Sequence, residues 1–313
     1  MATPRLRLGT RGSPLALAQA WEMRRWLAVA HESLATAGAV EIVVIRTSGD
    51  RITDRPLAEE GGKGLFTKEI EEALADGRID LAVHSYKDMT TDLPDGLAIA
   101  CHLPREDPRD AFVAPAAASL RALPQGAVLG TSSLRRKAQA LFLRPDLKIV
   151  PLRGNVGTRL DRLGKGDAGG IDATLLAVAG LRRLSLADRI TAIMPEADML
   201  PAPAQGVIAV EIRAGDDGTH ELVAPLNDIV TDCCATAERA LLATLDGSCR
   251  TPIAALAKVA NGKLHLDALI IRPDGSECHR TQRDGAPADA DAIGRDAGAE
   301  LKKRGGADFF AER

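Results

Sequence analysis

Val128-Leu129-Gly130-Thr131-Ser132-Ser133-Leu134-Arg135-Arg136-Lys137-Ala138-Gln139-Ala140 reads as strand, tight turn and helix. The apolar run stops at Gly130, Thr131 to Ser133 offer capping oxygens, and a helix-forming segment follows. Its first turn carries two arginines and a lysine, where the helix dipole favours acid by roughly 0.3–1 kcal/mol. The mismatch implies an anion brought in from outside and held by free N–H groups, hydroxyls and guanidinium forks. A solvated basic face is the competing reading.

The same words occur near the start of the chain. Leu8-Gly9-Thr10-Arg11-Gly12-Ser13-Pro14-Leu15 runs on to Ala18-Gln19-Ala20, matching Leu129-Gly130-Thr131 followed by Ala138-Gln139-Ala140. A second echo follows in the same order: Ile79-Asp80 precedes the apolar run Leu81-Ala82-Val83, and Ile171-Asp172 precedes Ala173 to Val178. Each Ile-Asp pair follows an amphipathic helix, one with Ile70, Ala73 and Leu74 on its apolar face, the other with Val156, Leu160 and Leu163. Two similar α/β units in tandem account for both echoes.

At 313 residues the chain has room for two or three domains and an ample core. Its net charge of -3 makes any basic site local, and an aromatic content of 3% leaves few platforms for stacking bases, which argues against nucleic acid as a partner. Five cysteines without Cys-x-x-Cys spacing indicate neither a disulfide framework nor a zinc site; no metal is expected. With no apolar run of signal-peptide or membrane-spanning length, a cytoplasmic location away from membranes is expected.

In chain order, strand Leu6 to Gly9 leads through Thr10–Pro14 into a helix from Leu15 to about Ala30, with Pro14 where a helix start tolerates it. Strand Val40 to Arg46 precedes an aperiodic stretch ending in Gly61-Gly62-Lys63-Gly64, which lacks Walker spacing and reads as a lid over about 48–64. Leu81-Ala82-Val83-His84-Ser85 reads as a buried parallel strand, which places Ser85, Lys87 and Asp88 beyond its carboxyl end, where open α/β sheets bind ligands. His84 points the other way, into the core. Prolines and charges between Cys101 and Arg109 mark a crossing to the second unit.

There, strand Leu147 to Val150 ends at Pro151-Leu152-Arg153-Gly154-Asn155, with Asn155 as N-cap of a helix carrying Arg159, a second anion socket. Arg182 and Arg183 follow the strand Thr174 to Val178; arginine prevails where planar carboxylates or phosphates are gripped in pairs. After Gln205-Gly206 come a strand Val207 to Ile212, a helix Thr231 to Leu245, a meander from Ile253 with turns at Asn261-Gly262 and Pro273-Asp274-Gly275, and a last helix from about Ala288 to Lys303. This describes a small α+β third domain. Cys249 alone among the cysteines sits in a Gly/Ser loop, where a thiol can be reached.

Together these residues resemble the porphobilinogen deaminase (hydroxymethylbilane synthase) family over nearly the whole chain. The resemblance rests on the motifs at 9–16, 61–66, 83–88, 105–111, 130–136, 153–160 and 205–206. Thr90, Ser248, Pro151 and Glu59 depart from the family pattern. The resemblance implies an α/β fold of two periplasmic-binding-protein-like (type II) domains around a cleft, plus a small α+β C-terminal domain. The expected division is 1–103 with 204–222, then 104–203, then 223–313.

The resemblance further implies a monomeric transferase of tetrapyrrole biosynthesis. It would join four porphobilinogen molecules head to tail, with loss of ammonia, on a covalent dipyrromethane cofactor, and release hydroxymethylbilane. Cys249 matches the cysteine that holds the cofactor through a thioether, and Asp88 matches the catalytic carboxylate. Each pyrrole carries an acetate and a propionate; Arg11, Arg135, Arg136, Arg153, Arg159 and Arg183 match positions that bind them. Ser13, Lys63, Ser85, Lys87, Thr131, Ser132, Ser133 and Gln205 complete the implied binding set. From the residues alone, a two-lobed solute-binding module and a phosphate-handling enzyme remain open; the first needs neither Asp88 nor Cys249, and the second lacks a Walker loop or metal cluster.

Overall fold

The computed structural model describes residues 6–51, 67–164, 170–247 and 251–310. The chain begins with strand β1 (Leu6–Arg11), helix α1 (Pro14–Ala30), strand β2 (Val40–Ile45), the helical turn α2 (Ser48–Arg51), helix α3 (Lys68–Ala75) and strands β3 (Leu81–Ser85) and β4 (Leu97–His102). Next come β5 (Asp110–Val113), β6 (Val128–Gly130), α4 (Leu134–Leu143), β7 (Lys148–Val150), α5 (Val156–Asp161), β8 (Ala173–Ala177), α6 (Val178–Arg183) and β9 (Ala192–Ile193). The last part holds β10 (Ile208–Arg213), α7 (Asp217–Val223), α8 (Ile229–Thr244), β11 (Ile253–Ala260), β12 (Lys263–Ile271), β13 (Cys278–Gly285) and α9 (Ala290–Gly305).

By internal contacts the chain divides into two compact units: Met1–Arg105 with Val207–Asp232, and Glu106–Gly206 with Cys233–Arg313. The first contains a sheet of order β2-β1-β3-β10-β4, the second a sheet of order β7-β6-β8-β5-β9. In each, three parallel strands are followed by an antiparallel one, β10 against β3 and β5 against β8. The two orders correspond strand for strand, so the tandem repeat in the sequence is a repeat of topology. β3 is parallel only towards β1; its other neighbour, β10, runs against it.

The repeated words have a steric cause. A Cβ on Gly9 would overlap Ile79 Cδ1, and one on Gly130 would come within 2.8 Å of Ile171 Cγ2. Each glycine lets the isoleucine of the following Ile-Asp pair close over the sheet. The aspartates then bond the first strand of their own repeat: Arg7 N donates to Asp80 at 2.8 Å, and Val128 N donates to Asp172 at 2.7 Å.

Helices cover both faces of each sheet. In the first unit Met23 and Leu27 of α1 pack with Leu8, Leu81 and Val210, while Ile70 and Leu74 of α3 pack with Ile79 and Ala82. In the second, Phe112, Leu129, Ala140 and Leu175 form one layer, and Ala111, Leu160, Leu176 and Leu181 the other. The C-terminal meander β11-β12-β13 is buried on both faces. Ala255, Ala257 and Leu266 meet Leu241 and Leu301 of α8 and α9; Ala254, Leu256 and Leu269 meet Ala138 of α4 and Leu200. Alternate residues of one strand thus serve two layers. Asn261 and Gly262, with φ of 52° and 70°, close the β11–β12 hairpin as a two-residue turn of the kind their sequence demands.

β4, β5, β9 and α7 were not expected from the sequence. β5 is fully buried, yet it opens on a charged residue, Asp110, whose polarity hides the strand from an apolar-run criterion. Ser48, expected in the lid, lies instead in α2 and donates from its backbone N–H and hydroxyl to Glu69 at 2.7 and 2.5 Å. Residues 52–64 of that lid lie outside the described residues.

Candidate functional site

In the first unit the carboxyl ends of the parallel neighbours β1 and β3 open into one pocket. The turn after β1 is built by Ser13, whose hydroxyl caps α1 by accepting from Ala16 N at 3.3 Å, and by Thr10, whose hydroxyl donates to Ala16 O at 3.2 Å. Arg11 and Ser13 are thereby presented at the rim. β3 ends at Ser85 and passes into a 3-10 turn, Tyr86–Asp88, fixed by Tyr86 N donating to Val207 O at 3.0 Å. The chain then turns through Thr90, whose hydroxyl donates to Asp92 O at 2.7 Å.

Arg11, Ser13, Gln19, Thr67, Ser85 and Asp88 line a pocket that is open to solvent. Asp88 is exposed and is the sole carboxylate of that lining among the described residues; Lys87 beside it is half-buried. His84 is buried with its Nε2 3.0 Å from Glu211 Oε2, in the inward role expected for it.

Gln19 and Thr67 were missed as lining residues. Gln19 is buried and donates to Ser85 Oγ at 2.8 Å. The signal lay in the repeated Ala-Gln-Ala: Gln139, its counterpart, is buried too and binds both N and O of Leu200, at 2.8 and 3.0 Å.

In the second unit the turn after β6 is held by its hydroxyls. Ser133 caps α4, accepting from Arg136 N at 3.4 Å; Thr131 Oγ1 accepts from Ser133 N at 3.2 Å; Ser132 donates to Leu152 O at 3.2 Å. The chain itself supplies one anion at this helix start. Asp110 of β5 lies 2.7 Å from Arg135 Nη1, and it accepts from Arg136 at 2.7 and 3.1 Å. All three side chains are buried. Burial pushes the Asp110 carboxyl up, but the two guanidiniums outweigh it and hold it well below the usual range. Burial lowers Arg135 from its ordinary value, with Asp110 opposing. Arg135 and Arg136 are therefore buried partners of Asp110.

Gln205 joins the same group, donating to Asp110 at 3.0 Å and to Pro108 O at 2.6 Å. Arg183 donates to Gly206 O at 3.1 Å. Asn155 caps α5 as expected, accepting from Thr158 N at 2.9 Å, while Arg159 folds back onto Gly154 O at 2.8 Å. Arg153 is half-buried. Of the expected site residues, Arg11, Ser13, Ser85 and Asp88 gather at one pocket, whereas Ser133, Arg135, Arg136 and Gln205 gather around Asp110 and the start of α4.

Lys63 and Cys249 lie outside the described residues. Burial pushes the Cys101 thiol up to about 12 and raises Cys278 as well, which keeps both protonated and inert. Among the described residues no group of three or more His, Cys, Asp or Glu side chains is placed to hold a metal, and no helix is long and apolar enough to cross a membrane.

The family described as "Porphobilinogen deaminase, dipyromethane cofactor binding domain" matches residues 6–221, and the porphobilinogen deaminase C-terminal domain matches residues 233–303. The porphobilinogen deaminase of Nitrobacter hamburgensis is 55% identical over 97% of this chain and 94% of its own length. The chloroplastic enzyme of that name from Oryza sativa subsp. japonica is 52% identical over 97% and 85%. A solved periplasmic substrate-binding protein of an ABC transporter from Coxiella burnetii superimposes with a TM-score of 0.42 at 16% identity, covering 75% of this chain and 96% of that one. From the matches to both of its domains and the identity to its members, the chain belongs to the porphobilinogen deaminase family.

Proposed function

We propose that the chain condenses four porphobilinogen molecules into hydroxymethylbilane on a dipyrromethane cofactor attached to Cys249, with Asp88 as the catalytic group. The observation that supports the site assignment is Asp88, the single carboxylate among the described residues of a pocket otherwise lined by Arg11, His84, hydroxyls, a carboxamide and apolar side chains. Those residues suit the cofactor's chemistry: pyrrole N–H groups need an acceptor, acetates and propionates need cations and donors, and the rim holds both kinds. When bound, the dipyrromethane supplies the pyrrole carbon at which condensation starts.

Asp88 accepts from pyrrole N–H and balances the positive charge that develops on the substrate as ammonia leaves. It also takes and returns the proton at the reacting α-carbon. Arg11, Lys87, Arg153, Arg159 and Arg183 bind carboxylates of the growing chain, and Lys63, Ser13 and Ser85 complete the binding set. Arg135, Arg136, Thr131, Ser132, Ser133 and Gln205 form the second binding region, at the start of α4.

We further assign Cys249 to a third domain, 223–313, beside 1–103 with 204–222 and 104–203. The net charge and sparse aromatics argue against nucleic acid as a partner, and the family resemblance favours a cytoplasmic monomer. Intact mass of the purified protein, with porphobilinogen consumption, tests the proposal: an adduct of two pyrroles on Cys249 together with turnover supports it. Unmodified Cys249 in turning-over protein refutes it.

A further inference from the structure

We infer that Asp110 is a positioning residue for the condensation, a resident carboxylate seated in an anion site that Arg135, Arg136 and Gln205 build at the start of α4. The inference rests on the reaction assigned above and adds to it a residue that touches no substrate. Asp110 is fully buried. One of its oxygens accepts from Arg136 Nε and Nη2 at 3.1 and 2.7 Å and from Gln205 Nε2 at 3.0 Å, while the other lies 2.7 Å from Arg135 Nη1. Planar forks around one carboxylate are what a site for an external acetate or propionate would contain.

The donors are not exhausted by this one occupant. Arg135 is 5% exposed, and its Nε has no hydrogen-bond partner. Two guanidiniums against one carboxylate also leave the group with a surplus positive charge inside the protein. Asp110 therefore does two things at once. It fixes both guanidinium planes, since Arg135 is further tied to Leu200 O at 2.7 Å and Gln205 to Pro108 O at 2.6 Å. It also cancels half of their charge, so that a polyanionic chain is attracted without being held by two bare cations. Removing it would leave like charges facing each other and a tighter grip on every added acetate and propionate.

The test uses purified full-length protein carrying Asp110→Ala or Asp110→Asn, with sodium formate as the probe and sodium chloride at equal ionic strength as control. Asp110→Ala opens room for a formate ion between the arginines. Its melting temperature is expected to rise with formate and saturate, while the parent and Asp110→Asn respond only as they do to chloride. Asp110→Asn fills the space without charge; its KM for porphobilinogen is expected to fall, and its kcat per folded molecule to drop roughly ten- to a hundredfold as release slows.

A formate response of Asp110→Ala no larger than that of the parent overturns the anion seat. Parental kcat and KM in Asp110→Asn overturn the positioning role, because a merely structural aspartate changes stability alone. Should Asp110→Ala not be recovered folded, the kinetic split in Asp110→Asn decides. Failure of the parent to consume porphobilinogen would refute the assigned reaction, and the formate melts would still read the seat.

Discussion

Ile79 occupies the space that a Cβ on Gly9 would need, and Ile171 stands in the same relation to Gly130. Gly9→Ala is therefore expected to destabilise the protein by about 1–3 kcal/mol through overpacking. Ile79→Val, which shortens the side chain that Gly9 faces, should recover part of the loss. Denaturant unfolding of the two single variants and the double variant checks this, and simple additivity would contradict direct contact.

Asp88→Asn separates charge from shape. The amide keeps one acceptor oxygen and the side chain's size, and the position is exposed at the end of a 3-10 turn, so the fold and any attached group should persist. Single-turnover rates with porphobilinogen are expected to fall about 100- to 1000-fold, the usual cost of removing one preorganised electrostatic group. A parental rate would make Asp88 a structural residue.

The cysteines should divide one against four. Cys249→Ser is expected to lose both the adduct mass and activity. Replacement of Cys101, Cys233, Cys234 or Cys278 should leave the adduct in place, since Cys101 and Cys234 are buried and burial raises the Cys101 and Cys278 thiols. A peptide map locates the adduct.

The arginines should also separate into two kinds. Arg136→Leu removes two charged hydrogen bonds from buried Asp110, leaves it to Arg135 and Gln205, and is expected to cost about 1.5–3 kcal/mol of stability. Arg153→Leu, at a half-buried position, should leave stability nearly unchanged and slow one addition step by about one to two powers of ten. Denaturant midpoints and quenched-flow mass spectra of the protein-bound species distinguish these outcomes.

Acid should release the same ion pairs. The Asp110 carboxyl is held below its ordinary value, so the unfolded chain binds its proton at higher pH than the folded protein does. Its contribution to stability is complete above the unfolded pKa of about 3.9 and is lost as pH falls below that value towards the folded one. Melting temperatures recorded from pH 6 to pH 2.5 should decline more steeply below about pH 4 in the parent than in Asp110→Asn.

The sequence makes the local elements legible and leaves the long-range pairings hidden. Ser133 and Asn155 were readable as caps, Asn261-Gly262 as a two-residue hairpin turn and the Gly-Thr echo as a repeat, because each is decided by residues within a few positions of one another. The surplus of base at Arg135 and Arg136 was readable as well, and it implied an anion from outside. The pairing with Asp110 was not readable, since a contact across twenty-six positions leaves no periodicity behind. Gln19 was visible only as part of the repeat; its place against Ser85 depends on β1 and β3 being neighbours. The reversed direction of β10 likewise has no signature in its own apolar residues.

That reversed strand has a consequence for how the molecule is made. β10 lies between β3 and β4 and is hydrogen-bonded to both, yet residues 106–206 must be synthesised before it exists. On the ribosome, the first unit emerges with a gap in the middle of its sheet and with Val83 and Cys101 lacking the apolar partners, Ile208 and Val210, that later cover them. Closing a loop of that length carries an entropic cost before any contact repays it, so the first part translated waits for residues 207–232 before it becomes a finished unit. Until Arg213 has cleared the exit tunnel, the nascent chain exposes two open strand edges, the kind of surface that chaperones cover and that aggregates otherwise recruit.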